Sequence, residues 1–338
     1  MLEKQSVQAN VRILVALFAA LVVSAVFAVV SQTSVSAADA NTLKVSPVRT
    51  DVVIQPGQTK KVQVTVSNLT KEAITLSPIE NDFTTGDERG TPALILDANA
   101  YAPTHSLKRF MVPLENITVP AEKSKTIEVI IGVPKDAQAG GYFGAVRFAP
   151  ASPDGGGQVN LSASVASLIL LTVPGDIVEQ LQLTDFSILQ NDRAVTNVSK
   201  PDNLKATVRF QNKGNVQIGP FGKISVKNGN KVVYSADFNN KDPRDVILPD
   251  SARRWDIPLE KIGTFGRYEI NATLTYGQKN QTIEVTKVLW VIPPIAIVIA
   301  AISLVVLIGL IILTIFLIRR SRRGPRIGRS HRGGYRIR

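Results

Sequence analysis

The side chains able to do chemistry are few. Glu80, Asp82, Asp87 and Glu88 form the densest group of carboxylates, and His105 is the one histidine before the C-terminal tail. Two carboxylates across a glycosidic bond could serve as acid and base, and a carboxylate loop could hold calcium. The spacing fits no calcium loop, because Asp87-Glu88-Arg89-Gly90 lacks alternating ligands and a distal Glu. A lone histidine offers no zinc spacing, and there is no Gly-x-Ser-x-Gly elbow and no phosphate-cradling glycine loop. With no cysteine in 338 residues, thiol catalysis, cysteine zinc sites and disulfides are excluded. Acids in a polar loop are ordinarily solvated. The expectation is a binding protein without catalytic residues, cofactor or metal.

The elements that must position these residues read as strands. Val62, Val64 and Val66 alternate with polar neighbours, as do Ile127, Val129, Ile131 and Val133, then Ala206, Val208 and Phe210, and finally Tyr268, Ile270, Ala272, Leu274 and Tyr276. Turn signals separate the strands at Pro56-Gly57, Gly140-Gly141, Asn212–Asn215, Asn228-Gly229-Asn230 and Tyr276-Gly277, and Asn228-Gly229 suits a tight hairpin. Short strands with frequent turns predict immunoglobulin-like sandwiches.

The two halves repeat one order of features. A strand ends in an asparagine turn at Asn68 and again at Asn212, a proline leads into a strand at Pro120 and Pro249, and a glycine-aromatic opening occurs at Gly141-Tyr142-Phe143-Gly144 and Phe265-Gly266-Arg267-Tyr268. The fold class expected is all-β, with two tandem immunoglobulin-like β-sandwich domains and one C-terminal transmembrane α-helix. Asn68 to Pro120 is 52 residues and Asn212 to Pro249 is 37, so fifteen extra residues fall in the first half, within Thr84–Leu107. That segment holds Asp87, Glu88, Arg89, Tyr101 and His105, the candidate ligand loop. Loops on rigid sandwiches often bind, and a tolerated insertion without a ligand is the alternative.

Two apolar runs frame this body. Lys4 and Arg12 precede an uncharged stretch from Ile13 to Val30, followed by Ser34, Ser36, Ala37, Ala38 and Ala40, the parts of a secretory signal cleaved after Ala37 or Ala40, or of an uncleaved anchor. Val288–Ile318 carries no charge, and its 24 residues from Ile295 would span about 36 Å as a helix. Arg319, Arg320, Arg322 and Arg323 follow and should hold the tail in the cytoplasm, with the body extracellular at the cell membrane. The divisions expected are a signal at 1–40, sandwiches at 41–175 and 176–287, a transmembrane helix at 288–318 and an Arg-rich tail at 319–338. Nine of the formal +12 charges lie in that tail, which leaves +3 before it. A body so nearly neutral lacks the broad basic face of nucleic-acid binding. A sortase motif is missing too, because Leu248-Pro249-Asp250-Ser251-Ala252 has neither Thr nor Gly in place. Six N-glycosylation sequons, at Asn68, Asn116, Asn160, Asn197, Asn271 and Asn280, stay undecided without knowledge of the source.

Ser46–Val52 with Pro56-Gly57, Val64–Asn68, Val133–Ala137 leading to Gly140–Ala145, and Leu171–Gly175 resemble the opening and later parts of the first domain of WxL-interacting proteins of Gram-positive surfaces. Phe210–Asn215, Leu248–Ser251 and Tyr276-Gly277 are similar to that family's second domain. The resemblance implies a first domain that binds peptidoglycan and a second that engages surface proteins or host matrix. These motifs are turns and strand starts, so no binding residue carries over. The expected function is a non-catalytic, membrane-anchored envelope protein recognising cell-wall polymer or a surface protein partner. The alternative is an accessory subunit of a membrane assembly that makes its contacts through helix and tail.

Overall fold

The computed structural model describes residues 42–151 and 164–321, with side chains to residue 319. The signal at 1–40, the Asp154–Gly157 turn, Asn160 and the tail arginines Arg322 and Arg323 lie outside the described residues, as does the Arg320 side chain.

The first nine strands are β1 (Leu43–Ser46), β2 (Arg49–Val53), β3 (Thr59–Asn68), β4 (Ile74–Thr85), β5 (Pro92–Leu94), β6 (Ile117–Val119), β7 (Ser124–Gly132), β8 (Gly140–Pro150) and β9 (Val165–Val173). They form a sheet in the order β1-β3-β7 and a second in the order β2-β9-β8-β4-β5, with β6 against β4. The next nine are β10 (Leu181–Gln190), β11 (Arg193–Ala194), β12 (Asn197–Val198), β13 (Leu204–Asn212), β14 (Phe221–Asn228), β15 (Lys231–Phe238), β16 (Ala252–Pro258), β17 (Gly266–Tyr276) and β18 (Gln281–Val291). Their sheets run β11-β10-β13-β16 and β12-β18-β17-β14-β15.

The two halves share one plan. In each, the first strand starts antiparallel in one sheet, β1 on β3 and β10 on β13, and the chain then crosses to lie parallel to the last strand of the other sheet, β2 on β9 and β12 on β18. Pro47, at the first crossing, has no N–H to leave unpaired. The alternating residues face inward as their period requires: Val64, Val66, Val129, Ile131, Ala206, Val208, Phe210, Ile270 and Leu274 are all buried. One core spans Leu43 to Val173 and another Leu181 to Val291.

Two local expectations shift by one residue. The β14–β15 hairpin turns on Gly229-Asn230, because Asn228 pairs with Lys231, and only Gly229 takes positive φ (+56°). That is the pattern of a turn with glycine at its first central position. The prolines of the repeat are likewise not equivalent. In the turn after the first linker Lys123 N donates to Pro120 O with Glu122 at φ +55°, and in the second Ser251 N donates to Leu248 O with Asp250 at φ +56°. Glu122 stands 54 residues after Asn68 and Asp250 38 after Asn212, so the insertion is sixteen residues. It lies after β5, in residues 95–123 against 239–251, and not from Thr84.

The halves also pack on each other. Phe83, Phe143, Ala145 and Leu170, on the outer face of the β4-β8-β9 sheet, form a third apolar cluster that Val246 and Leu248 of the second half join. This explains the near-continuous apolar run of β9, which is covered on both faces.

After β18 only Ile292 and Pro293 precede the helix α1 (Pro294–Ser321). Its 28 residues span about 42 Å at the helical rise, its most apolar 18-residue stretch has a mean hydropathy of 3.3, and none of that stretch is buried. It is long and apolar enough to cross a bilayer.

Candidate functional site

The carboxylates of β4 serve the insertion. Asp82, fully buried, accepts hydrogen bonds from the amides of Ala102 (2.8 Å) and Lys108 (2.9 Å), and Glu80 accepts from Leu114 N (2.6 Å). Between them Asn81 donates to Ile95 O (2.8 Å). A polar run on an interior strand thus satisfies the backbone of a long connection that has no ladder partner of its own.

Asp87, Glu88 and Arg89 belong to the β4–β5 hairpin turn, which faces the second half. Asp87 accepts from the amides of Thr91 (3.0 Å) and Arg89 (2.8 Å) and from the Thr91 hydroxyl (2.8 Å), and these bonds, those of Thr91 foremost, hold its carboxyl below the usual range. Glu88 forms a two-pronged pair with Arg209 of β13 (2.6 and 2.9 Å), which lowers its pKa, and its carbonyl accepts from Arg254 N (2.6 Å). Beside them the Arg253 guanidinium packs against Gly90, pairs with Asp245 (3.2 Å) and lies over Trp255 (5.1 Å to the centroid). Burial pushes the Arg253 pKa down. This turn is a latch between halves.

Tyr101 and His105 sit elsewhere, in the inserted segment. The exposed Tyr101 ring has Lys108 Nζ at 4.9 Å and Arg109 Cζ at 4.6 Å from its centroid. His105, at φ +60°, brings Nδ1 to 2.6 Å from Gly141 O, so Nδ1 carries the proton and donates it to that carbonyl. Its ring packs edge-on to Tyr142, which in turn lies 4.8 Å from Phe110. Burial raises the Tyr142 pKa, so its hydroxyl stays protonated and donates to Gln138 O (2.9 Å).

A cleft of about 380 Å³ has His105, Arg109, Gln138 and Tyr142 of the first half and Asn215 of the second in its lining, and Tyr101 stands beside it against Arg109. No Asp or Glu lines it. Asn215 is fully engaged, donating to Ala139 O and Asp176 O and accepting from Val178 N, so it is a joint and not a ligand group. Gly140 and Gly141 let the chain approach that joint: a Cβ on Gly140 would stand 2.7 Å from Asn215 O. Among the described residues, no hydrogen bond or ion pair occupies the Arg109 guanidinium or the Gln138 amide, and the buried Ser106 hydroxyl has no partner. The cleft can therefore offer a cation, neutral donors and aromatic faces, a set suited to a carboxylate-bearing saccharide or peptide.

The cleft lies on a stretch of chain that a known family covers. Residues 50–150 match the family described as WxL Interacting Protein, peptidoglycan binding domain. That part of the chain is similar to this family. The match runs from β2 to the end of β8 and includes the insertion, the β4–β5 hairpin and every cleft residue but Asn215. No curated protein matches the chain. Among solved structures, the class 5 fimbriae chaperone CfaA is 14% identical, with a TM-score of 0.36 over 73% of this chain and 98% of its own. The E. coli chaperone DraB is 15% identical, with a TM-score of 0.33 over 72% and 96%.

The sequence singled out Tyr101 and His105 but missed Arg109, Gln138 and Tyr142. Gln138 and Tyr142 flank the Gly140-Gly141 turn, so that turn, noted as a strand opening, marked their position. Arg109 had no signal beyond its nearness to His105.

Proposed function

We propose that this chain is a non-catalytic protein of the cell envelope, anchored by α1, that binds peptidoglycan in the His105–Arg109–Tyr142 cleft. The observation that carries the reading is the family match of residues 50–150, within which the cleft is the site with uncommitted donors beside aromatic rings. Arg109 would pair with a carboxylate of the polymer, while Tyr101 and Tyr142 present ring faces to sugar or peptide. Of the five residues in the candidate ligand loop, we assign His105 to the lining of this cleft and Tyr101 to its edge, where it stacks on Arg109. Asp87 and Glu88 are assigned to the latch, and Arg89 to solvent. We further assign two sandwich domains, 41–175 and 176–287, and an orientation with the body outside and Arg319, Arg320, Arg322 and Arg323 inside.

The test is retention of the full chain, in detergent, on purified wall sacculi. Arg109→Ala combined with Tyr101→Ala should weaken retention about tenfold, the loss of one charge-assisted contact and one ring. Arg89→Ala should leave it unchanged. Equal retention of all three proteins would place the ligand elsewhere.

A further inference from the structure

The two-residue link between β18 and α1 leaves one end of the second half beside the bilayer, and that end is not polar. β17 begins at Gly266 opposite Val291, the last residue of β18, and both positions face inward. Register therefore sets Arg267 opposite Trp290 on the outer face and brings Phe265 level with Ile292. Phe265 is 65% exposed, Trp290 47% and Ile292 37%, three large apolar side chains on one patch. Ile292 is no loose linker, because its amide donates to Val198 O at 2.9 Å and continues the sheet one step past β18. The β14–β15 hairpin ends on the same side, since Asn228 pairs with Tyr268, and it presents Lys227 and Lys231. Lys261 stands in the loop before Phe265. None of these three lysines makes an ion pair among the described residues.

We propose that this rim, Phe265, Trp290 and Ile292 with Lys227, Lys231 and Lys261 around them, rests in the headgroup layer of the membrane and fixes the tilt of the body. The inference rests on the reading of α1 as a membrane anchor. Its occupant is the bilayer because the tether permits little else: Ile292 lies two residues, at most about 7 Å, from the point where the helix starts, and the rest of the rim is fixed to it through the sheet. The helix moreover exceeds a hydrocarbon core of about 30 Å, so its first turn already lies at the interface. Aromatic rings and lysines whose stems reach along apolar surface are the side chains favoured at that depth. Anionic lipid adds attraction for the lysines.

The chain has no cysteine, so Phe265→Cys takes a single fluorescent label. The full labelled chain is reconstituted in vesicles of phosphatidylcholine and phosphatidylglycerol, with and without brominated acyl chains. Gln278→Cys, in the turn at the opposite end of β17, is the comparison site. Loss of fluorescence at position 265 with none at 278 is the expected result. Equal signals at both sites overturn the proposal. Alkaline carbonate extraction of the same vesicles separates the two failures: a retained chain with an unquenched 265 keeps the anchor and removes the rim, whereas an extracted chain removes both. A third variant, Phe265→Ser with a label at Thr264→Cys, should lose part of the quenching seen with Thr264→Cys alone, because the ring itself anchors the rim. Undiminished quenching would leave that role to Trp290 alone and overturn the three-residue patch.

Discussion

Asn212→Ala should be among the most damaging single changes in the second half. The fully buried amide donates to Val216 O (2.8 Å) and Ile247 O (2.9 Å) and accepts from Gly214 N (2.9 Å). Ile247 O keeps a second partner in Ile218 N, so the variant orphans one carbonyl and one amide. At about 1–3 kcal/mol for each buried unsatisfied group, the cost is about 3–4 kcal/mol once the small cavity is added. Asn68 holds the same place in the first half, bonding Thr70 N, Glu72 O, Val119 O and Pro120 O. There Glu72 O retains the Thr70 hydroxyl and Pro120 O retains Lys123 N, and three of the four bonds are only part-buried. Asn68→Ala should cost less, about 2 kcal/mol. Urea unfolding of the full chain in detergent measures both by circular dichroism. In the second half Trp255, edge-on to Phe210 and Phe238, reports by fluorescence once Trp290 is replaced by Phe. Asn212→Asp keeps the shape but aims an anion at two carbonyls. Its folded pKa is raised, so that variant should be steadiest below about pH 4 and lose stability as pH rises. A cost under about 1 kcal/mol for Asn212→Ala, or a cost below that of Asn68→Ala, would refute the reasoning.

The latch between halves gives two further tests. Glu88 has a lowered pKa through Arg209, so its contribution is present above the ordinary carboxylate value of 4.5 and fades as pH falls through the folded value. A double-mutant cycle of Glu88→Gln and Arg209→Met should give a coupling of about 0.5–1 kcal/mol at pH 7, small because the pair is partly exposed, that shrinks as the pH is taken down through the lowered Glu88 value. Gly90→Ala should destabilise by about 1–3 kcal/mol from backbone strain at φ +87°. It should also push Arg253 away, since the added Cβ would sit 2.3 Å from the guanidinium carbon. Unchanged proteolytic sensitivity of the junction in that variant would count against the latch.

The repeat was legible because the same physical task recurs at the same place. Each half needs a buried amide where its β3 or β13 strand turns, so asparagine stands at both positions, and glycine at positive φ opens β8 and β17 alike. Alternation gave the core faces for the same reason, since one side of each strand must meet the opposing sheet. The contact between halves was not legible. Phe143 and Leu170 look from the sequence like more core, and only the pairing of β8 with β4 and β9 shows that they point away from their own sandwich. The acidic cluster read as a solvated loop, and adjacency hid its division. Glu80 and Asp82 lie on a strand and hold an insertion, Asp87 and Glu88 lie in a turn and hold a joint, and nothing in their spacing distinguishes a site from two sets of pegs. Asn68, in turn, offers a sequon whose amide is 1% exposed and already bonded, so the folded chain cannot present it.

The cleft and the rim lie at opposite ends of one strand system, and this limits what the protein can reach. β13 starts at Leu204, level with the end of β16 that leads into the Phe265 loop, and finishes at Asn212, three residues before the Asn215 joint of the cleft. Its eight steps at about 3.3 Å place the cleft end about 26 Å farther from α1 than the rim end. Neither end is free to stretch: Asn215 bonds the cleft to the second half, and Ile292 ties that half to the start of the helix. A polymer bound at Arg109 would accordingly be held a few nanometres from the lipid headgroups at most. A longer tether would allow the same cleft to sample a thick wall, and the two-residue one does not. On the proposed function, the ligand must therefore come within that reach of the membrane, because the protein cannot extend outward to it.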